Sequence, residues 1–219
     1  METNPRIMPD GKTVVYIARP AGDTRFHIHT IDVDGANARE LPTDGAQPGF
    51  VQVAAGSIYF VRFVNGVTSL HRMPLAGGAS EMAFRDPAKL PRSFGVRLLS
   101  EDGKWAIGTA FDPNAPGMQF TLVPLDQSQP PRTFPFPLRP APEFKFAWAP
   151  AGDAFDVLAL RDGVCNVWRF PLDGRAPSQV TAFTTPSEIL TGFAWSRDGM
   201  LAVSRATQSS DVVLISNQR

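Results

Sequence analysis

The chain has 219 residues, 43% of them hydrophobic, and its 21 basic side chains are matched by 21 acidic ones. A domain of this size buries roughly 70% of the surface of its unfolded chain, so a core can form without disulfides or a metal. The even charge, with no run of like charges that could follow a phosphate backbone, excludes nucleic acid as an expected partner. Cys165 is the single cysteine, and its strand-like surroundings favour packing as a small hydrophobic side chain.

Targeting signals are the next feature to exclude. The first ten residues lack the charged and apolar regions of an export signal. No stretch approaches the roughly 18 uninterrupted apolar residues of a membrane span. The sequence therefore predicts a soluble chain without a leader and without membrane insertion, and it leaves the compartment open.

Short runs rich in Val, Ile, Leu, Phe and Trp alternate along the chain with turns that contain most of the 21 prolines and 18 glycines. This pattern is typical of many short strands, and no helical period persists. An apolar segment ending in a turn recurs with steps of 45, 47, 49 and 47 residues, at Gly11, Gly56, Gly103, Gly152 and Gly199. Each turn precedes a predicted strand, at 13–18, 57–61, 105–109, 155–160 and 201–205.

A second repeated unit, a strand followed by a turn, comes later in each of the first four copies. It lies at 31–35, 73–77, 123–127 and 170–174, and a short outer strand follows it at 40–41, 81–84, 132–136 and 179–183. Two inner hairpin turns are predicted at Asn65-Gly66 and Asp162-Gly163, because these residues accept the positive φ of two-residue hairpins. Four strands per copy make one blade.

A repeat of roughly 40 to 50 residues with four strands predicts an all-β propeller of about five blades in one domain, 1–219. The blades are expected at about 5–45, 48–88, 94–137, 143–184 and 189–217. Residues 1–6 are not expected to form a strand, and the fifth copy ends near Asn217 with three strands. Two readings remain: a five-bladed ring with an incomplete last blade, or, as the favoured one, the C-terminal part of a six- to eight-bladed propeller. Open strand edges would permit self-association.

Three phrases carry a family resemblance: FAWSRDG at 193–199, FAWAPAG at 146–152 and DVDG at 32–35. They resemble the repeats of TolB-like, WD40-like bacterial propellers, over almost the whole chain. The segment 204–217 is similar to the end of propellers that follow bacterial serine/threonine kinases and winged-helix regulators. The resemblance implies a propeller in a larger bacterial signalling or envelope protein, in a periplasmic or extracytoplasmic setting.

The three histidines are the first candidates for chemistry. His27 and His29 lie two residues apart on a strand, so they share a face and could hold a metal. Aligning the blades places His29, His71 and Trp168 at one position of the third strand, where an amphipathic aromatic side chain is common. Because neighbouring blades hold this position too far apart to chelate one ion, the structural role is favoured.

Acidic residues form the second group of candidates. Asp32 and Asp34 resemble the start of a calcium loop, but the rest of that loop is absent and a turn role is favoured. The same turn role is expected for Asp10, Asp102, Asp173 and Asp198. For a carboxylate-lined channel the candidates are Asp86, Glu101, Glu143 and Glu188, whose spacing does not define a shared site.

Nucleophilic catalysis of the α/β-hydrolase type is excluded, since no GxSxG motif occurs and no histidine follows residue 71. Trp148 and Trp195, with Phe146 and Phe193 two residues earlier, are expected on one face of each blade, packed between blades. No catalytic residue, cofactor site or metal site is predicted.

Two functions remain. The favoured one is a non-catalytic module that binds a protein or peptide, or senses a ligand, on a rim or in the channel, with contacts in the 130–142 stretch and the 111–118 loop. The alternative is the propeller of an enzyme, either one that gates a peptidase domain or a divergent hydrolase with a carboxylate-lined channel.

Overall fold

A computed structural model describes residues 2–8, 10–43, 47–64, 67–84, 86, 89–90, 94–111, 117–186, 188–196 and 198–207. These residues contain strands and turns and no α-helix. The chain divides into two compact units, Met1–Phe136 and Pro137–Arg219. The predicted all-β propeller arrangement is confirmed, with four blades and part of a fifth repeat.

The N-terminal unit consists of three four-stranded antiparallel blades, each with its strands in sequence order. Successive strands pair by hairpin-like connections, as the repeated turns predict. Blade 1 contains β1 (Glu2–Ile7), β2 (Thr13–Ala18), β3 (His27–Asp32) and β4 (Arg39–Leu41); blade 2 contains β5 (Gln47–Ala54), β6 (Ser57–Val64), β7 (Val67–Pro74) and β8 (Glu81–Met82); blade 3 contains β9 (Gly95–Leu99), β10 (Trp105–Phe111), β11 (Met118–Pro124) and β12 (Arg132–Pro135).

The C-terminal unit contains blade 4 and a hairpin. Blade 4 contains β13 (Arg139–Pro140), β14 (Phe146–Trp148), β15 (Ala154–Arg161), β16 (Val164–Pro171) and β17 (Ser178–Gln179), with β13 and β14 both paired to β15. The fifth repeat contributes the hairpin of β18 (Glu188–Trp195) and β19 (Leu201–Thr207). The third strand predicted for this repeat, within 208–217, lies outside the described residues.

The expectation that residues 1–6 form no strand is wrong. Strand β1 covers most of them and pairs with β2, with a register shift between Thr3 and Arg6. Pro5 lies inside that shift and has no N–H for a ladder hydrogen bond, so the irregularity accommodates it. Blade 1 therefore has a complete inner strand of its own.

Apolar side chains pack between consecutive blades of the N-terminal unit. The core between blades 1 and 2 consists of Met8, Val15, Ile17, Ile28, Leu41, Val51, Ile58, Phe60 and Met73. The core between blades 2 and 3 includes Ala54, Tyr59, Leu70, Phe84, Leu99, Ala106, Val123 and Leu125. Because side chains alternate along each strand, one face of blade 2 packs on blade 1 and the other face packs on blade 3.

A side-chain amide also joins blades 2 and 3. Gln52 Nε2 donates to Leu99 O at 2.7 Å, and Leu99 N donates to Gln52 Oε1 at 2.9 Å. Nearby, Ala55 N donates to Glu101 O at 3.0 Å. The turns of the two blades approach so closely that a Cβ at Gly103 would lie 2.7 Å from Ala55 Cβ.

One of the two predicted hairpin turns lies within the described residues and has the backbone conformation that its sequence predicts. Asp162 and Gly163 have φ values of 52° and 81° and connect Arg161 to its partner Val164. This confirms the two-residue turn predicted there. The other predicted turn, Asn65-Gly66, lies outside the described residues.

Gly103→Ala tests the close approach of the turns. Gly103 and Gly11 occupy the equivalent repeat position with φ of +67° and +68°, but a Cβ at Gly11 meets nothing within 4 Å. Both substitutions incur the cost of left-handed backbone, about 1 kcal/mol, and Gly103→Ala adds about 1–3 kcal/mol for the clash. Urea unfolding of the two variants should show the larger loss of stability for Gly103→Ala. Equal losses would contradict the close packing of these turns.

Candidate functional site

Blade 1 has a sheet face that is not covered by another blade of the N-terminal unit. Cross-strand pairing aligns Ile7 with Val14 and Val14 with Ile31, and aligns Tyr16 with His29 in the next row. Directly paired residues share a face. We call this set of five side chains the open face; Ile7 is 66% exposed and the other four are half-buried.

Most of the equivalent positions in blade 2 are buried. The row Val53, Ile58 and Met73 corresponds to Ile7, Val14 and Ile31, and the pair Phe60 and His71 corresponds to Tyr16 and His29. Ile58, Phe60 and Met73 are at most 1% exposed, because blade 1 covers them. The open face therefore has the pattern of a blade-to-blade interface without the covering blade.

The register confirms that His29, His71 and Trp168 occupy one repeat position, since each lies three residues before the end of its strand in the same pairing frame. His29 stacks on Tyr16 with ring centroids 5.5 Å apart, and His71 lies 5.8 Å from Phe60. These contacts assign the first two side chains to aromatic packing.

A charged cluster borders the open face at His27. His27 Nδ1 lies 2.7 Å from Glu40 Oε1, and His27 Nε2 lies 3.0 Å from Asp23 Oδ2. Partial burial lowers the pKa of His27, but the hydrogen bonds to the two carboxylates outweigh it, so the net pKa is raised. With both ring nitrogens facing carboxylates, the imidazolium form links the 19–26 loop, β3 and β4.

A groove of about 240 Å³ lies on one rim, between blades 1 and 2. Its apolar side chains come from Met8, Leu75 and Ala76, and its polar ones from Asp10, Thr13, Thr30 and Arg39. We call it the rim groove. By contrast, the apolar cavity beside Val61, Phe84 and Phe94 has a volume of about 30 Å³.

The two charged side chains of the rim groove differ in how many hydrogen bonds they already make within the protein. Asp10 accepts hydrogen bonds from Lys12 N, Thr13 N and Thr13 Oγ1 at 2.8–2.9 Å. These backbone hydrogen bonds lower the pKa of Asp10, so it stays an ionised turn residue. The exposed Arg39 has one long contact, from Nη2 to Ala76 O at 3.4 Å, and four further N–H donors remain available to a ligand.

The turn role predicted for the aspartates is confirmed at five positions. Asp102 and Asp173 accept from the amides of Lys104 and Arg175, as Asp10 does in its own turn. Asp34 accepts from Ala36 N, and Asp32 accepts from Asn37 Nδ2. In the fifth repeat the amide of Met200 is held by Ser196 Oγ rather than by Asp198.

The four acidic residues considered for a channel site each contact different residues close by. Glu143 lies 4.0 Å from Lys145, and Glu188 lies 3.1 Å from Arg205. The backbone of Asp86 is held by Gln127, and the carbonyl of Glu101 accepts from Ala55. Within the described ranges, no group of three or more His, Cys, Asp or Glu side chains is placed to hold a metal ion.

A buried ion pair that the sequence did not predict joins blade 4 to the hairpin. Arg169 Nε and Nη2 donate to the two oxygens of Asp156 at 2.8 and 2.9 Å, and Trp195 Nε1 donates to Asp156 Oδ2 at 2.7 Å. The Asp156 side chain is fully buried, and it raises the pKa of Arg169. Trp195 is therefore an interblade link with a polar end as well as a packing residue.

The remaining packing predictions are confirmed in part. Phe193 packs with Leu158, Val167 and Leu190 between blade 4 and the hairpin, and Cys165 lies in the same cluster, 3% exposed. Burial raises the pKa of the Cys165 thiol. Trp148 lies on the same face as Phe146, opposite Phe155 and Val157, and is half-buried.

The two stretches predicted to carry contacts are only partly described. The 130–142 stretch contains β12 and β13, and Ala141 within it is buried. In the 111–118 loop, residues 112–116 lie outside the described residues. As for membrane insertion, no helix among the residues with described structure is long and apolar enough to span a bilayer.

Comparisons with known proteins identify the fold. No protein-family model and no curated protein sequence matches the chain. Among solved structures, TolB from Acinetobacter baumannii superimposes with a TM-score of 0.70 at 17% identity, covering 92% of this chain and 49% of TolB. A gluconolactonase from Xanthomonas campestris gives 0.60 at 18% identity (93% and 69% covered), and a prolyl endopeptidase gives 0.59 at 15% (94% and 32%).

The chain thus has a β-propeller fold similar to that of TolB, and it spans about half the length of the TolB structure that it matches. The matched proteins include both a gluconolactonase and a prolyl endopeptidase, so the fold alone does not assign an activity. The resemblance to propellers of kinases and winged-helix regulators stays a prediction.

The His27 cluster predicts a pH-dependent stability. The folded-state pKa of His27 is raised above its usual value near 6.5. The stabilisation is therefore fully present below about pH 6.5 and is lost as the pH rises through the folded pKa. Urea unfolding should show a larger loss of stability for His27→Gln at about pH 5.5 than at about pH 8.5. A loss that is equal at both pH values, or larger at the higher one, would show that the two hydrogen bonds do not depend on the imidazolium.

The Asp156 link predicts a coupled loss of stability. Asp156→Asn replaces the buried carboxylate by a neutral amide and weakens the hydrogen bonds from Arg169 and Trp195, so it should destabilise the C-terminal unit by about 1.5–3 kcal/mol. Trp195→Phe removes one charge-assisted hydrogen bond and should cost about 1.5–3 kcal/mol in the wild type, but much less in the Asp156→Asn background. Urea unfolding followed by circular dichroism measures both. The matched control is Asp173→Asn in the exposed Asp173–Arg175 pair, which should leave stability near that of the wild type. If the losses caused by Asp156→Asn and Trp195→Phe simply add in the double variant, the hydrogen bond between these two residues does not stabilise the unit.

Proposed function

We propose that the chain is a non-catalytic binding module that holds a peptide segment of a protein partner in the rim groove. The observation that carries this proposal is the groove itself, about 240 Å³ in volume, which is lined by apolar side chains and by the charged Arg39. This volume is close to the lower end of ligand pockets and suits one or two side chains of a peptide.

The groove has a rigid frame. Its turns are closed by backbone hydrogen bonds, from Val33 N to Lys12 O at 2.8 Å and from Gly77 N to Pro74 O at 2.9 Å. Met8 and Thr30 are buried at 7% and 2% exposure, so their side chains are fixed in the surrounding core. A preorganised site of this kind loses little conformational entropy when a ligand binds.

The chemistry of the groove selects the kind of peptide. Met8, Leu75 and Ala76 favour an aliphatic side chain, whereas Arg39 favours a carboxylate, either of an acidic residue or of a chain end. The lowered pKa of Asp10 keeps it ionised at neutral pH, so it is unsuited to act as a general acid. The separate local partners of Glu143 and Glu188 also support a binding role over a carboxylate-lined active site.

In this proposal the module belongs to a larger bacterial signalling or envelope protein, and the fold likeness to TolB supports that setting. The alternative, a propeller attached to a peptidase or lactonase activity, has the fold likeness to a prolyl endopeptidase and a gluconolactonase in its favour. Within the described residues, no site supports this enzymatic alternative in the way that the rim groove supports the binding role.

Selection from a random peptide display library on the purified chain tests the proposal. Enriched peptides should combine an aliphatic residue with an acidic residue or a free C-terminus, and fluorescence polarisation then measures their affinity. Arg39→Gln should weaken binding about tenfold, the effect of losing one charge-assisted contact of about 1.4 kcal/mol. Ala76→Glu, which places a long acidic side chain in the groove at an exposed position, should abolish binding.

Lys104→Gln is the matched control, because it removes the same charge from an exposed position of the same unit. This variant should bind the selected peptides like the wild type. If no peptide is enriched, or if the selected peptides bind Arg39→Gln and Ala76→Glu as tightly as the wild type, the rim groove is not the binding site.

A further inference from the structure

We propose that the anion bound at Arg39 is the side-chain carboxylate of an aspartate or glutamate within the partner's peptide, and not the carboxylate of a chain end. This inference rests on the proposed binding function of the rim groove and names the group that the groove recognises. Its basis is one cross-strand row of side chains, which contains an arginine in successive blades and surrounds it with different partners.

The pairing register defines this row, which we call the arginine row. In blades 1, 2 and 4 it consists of Val15, Thr30 and Arg39; of Tyr59, Arg72 and Glu81; and of Asp156, Arg169 and Ser178. Directly paired residues share a face of the sheet, so the arginine of each blade lies beside the other side chains of its row. The blades therefore show what a guanidinium at this place in the repeat binds.

Where the arginine row contains an acidic residue, the guanidinium binds its carboxylate. Arg72 Nε and Nη2 both lie 2.7 Å from Glu81 Oε1. Arg169 Nε and Nη2 donate to the two oxygens of Asp156 at 2.8 and 2.9 Å. A planar guanidinium with two parallel N–H donors matches a carboxylate in this way. Two rows of the repeat thus hold a side-chain carboxylate on their arginine.

Blade 1 has the arginine of the row without the acid. Thr30 occupies the position of Arg72, and Arg39 occupies the position of Glu81. Within the described residues, Arg39 makes only the long contact to Ala76 O at 3.4 Å. The carboxylate that the other two rows supply from inside the protein can therefore come from a ligand in the rim groove, which Thr30 and Arg39 both line.

The backbone amides around the groove disfavour a chain end as the bound anion. Capture of a terminal carboxylate uses several free N–H groups of a backbone nest. Here Met8 N donates to Thr13 O at 2.7 Å, Thr13 N donates to Asp10 Oδ1 at 2.9 Å, and Gly77 N is held within its own turn. The negative charge of Asp10 also favours a singly charged carboxylate over a phosphate dianion, since like charges repel. The guanidinium of Arg39 is then the group that takes the anion.

Two peptide display libraries test the inference, one with the random segment fused at its C-terminal end and one with a free C-terminus. Both should enrich an acidic residue together with an aliphatic one. In fluorescence polarisation, replacing that acid of a selected peptide by its amide should weaken binding to the wild-type chain about tenfold. Amidation of the peptide's C-terminus should change the Kd by less than about twofold.

Variants of the chain assign the contact. Against Arg39→Gln, the acid-to-amide change in the peptide should have little effect, because its partner is already absent. Arg132→Gln is the matched control, because Arg132 is the exposed arginine of the same row in blade 3 and lies over the ring of Phe134. This variant should keep the full tenfold dependence on the peptide's acid, and circular dichroism melts of both variants exclude misfolding as the cause.

Three results would overturn the inference and are distinct from one another. Enrichment only in the library with a free C-terminus, or loss of binding on amidation, would assign Arg39 to a chain end while the rim groove remained the binding site. An acid-to-amide loss that is equal for the wild type and Arg39→Gln would place the peptide's acid elsewhere. Failure of both libraries would remove the proposed binding function itself, and this inference with it.

Discussion

Apolar packing between consecutive sheets holds the N-terminal unit together. Each fully buried side chain at the junction of blades 1 and 2, such as Ile17, Ile28 or Phe60, contributes about 1.5–3 kcal/mol, whereas an exposed ion pair such as Arg72–Glu81 contributes less than about 1 kcal/mol. The strand register follows from this packing, because a shift by one residue would turn the apolar side chains of a strand to the wrong face. The rim groove lies where two of these sheets meet, and the open face has the residue pattern of such a junction.

Side-chain amides complement this packing where the backbone has no strand partner. Gln52 pairs with both backbone groups of Leu99, Gln127 with those of Asp86, and Asn166 with those of Phe183, at 2.6–3.1 Å. In each case the amide donates one hydrogen bond and accepts another, as a peptide group of an adjacent strand would. The propeller thus satisfies backbone groups at its junctions and linkers without extending its strands.

The fold could be predicted from the sequence because its turns carry strong local signals. The spacing of Gly11, Gly56, Gly103, Gly152 and Gly199 defined the repeat, and aligning the repeats placed His29 and His71 at the same position. Strand β1 was missed because its polar residues and Pro5 give no alternating pattern, and its pairing depends on β2 instead. The rim groove was missed because it combines the turn at Asp10 with side chains about 30 and 65 residues later, Arg39 and Leu75, which only the packing of two blades brings together. Asp156 was also missed, since its strand (AFDVLALR) reads as a buried apolar run and its partner Trp195 comes from the next repeat.

Cys165 gives the C-terminal unit a chemical reporter of its own motion. Its thiol lies in the core between blade 4 and the hairpin, beside Leu190 and Val203, and its raised pKa makes the reactive thiolate scarce. Because the chain has no other thiol, a maleimide or a disulfide reagent reacts at one atom, and in the folded state it can do so only when the hairpin separates from blade 4. The labelling rate therefore measures how often the hairpin separates from blade 4, even when the secondary structure stays intact. No probe has to be introduced into the protein for this measurement.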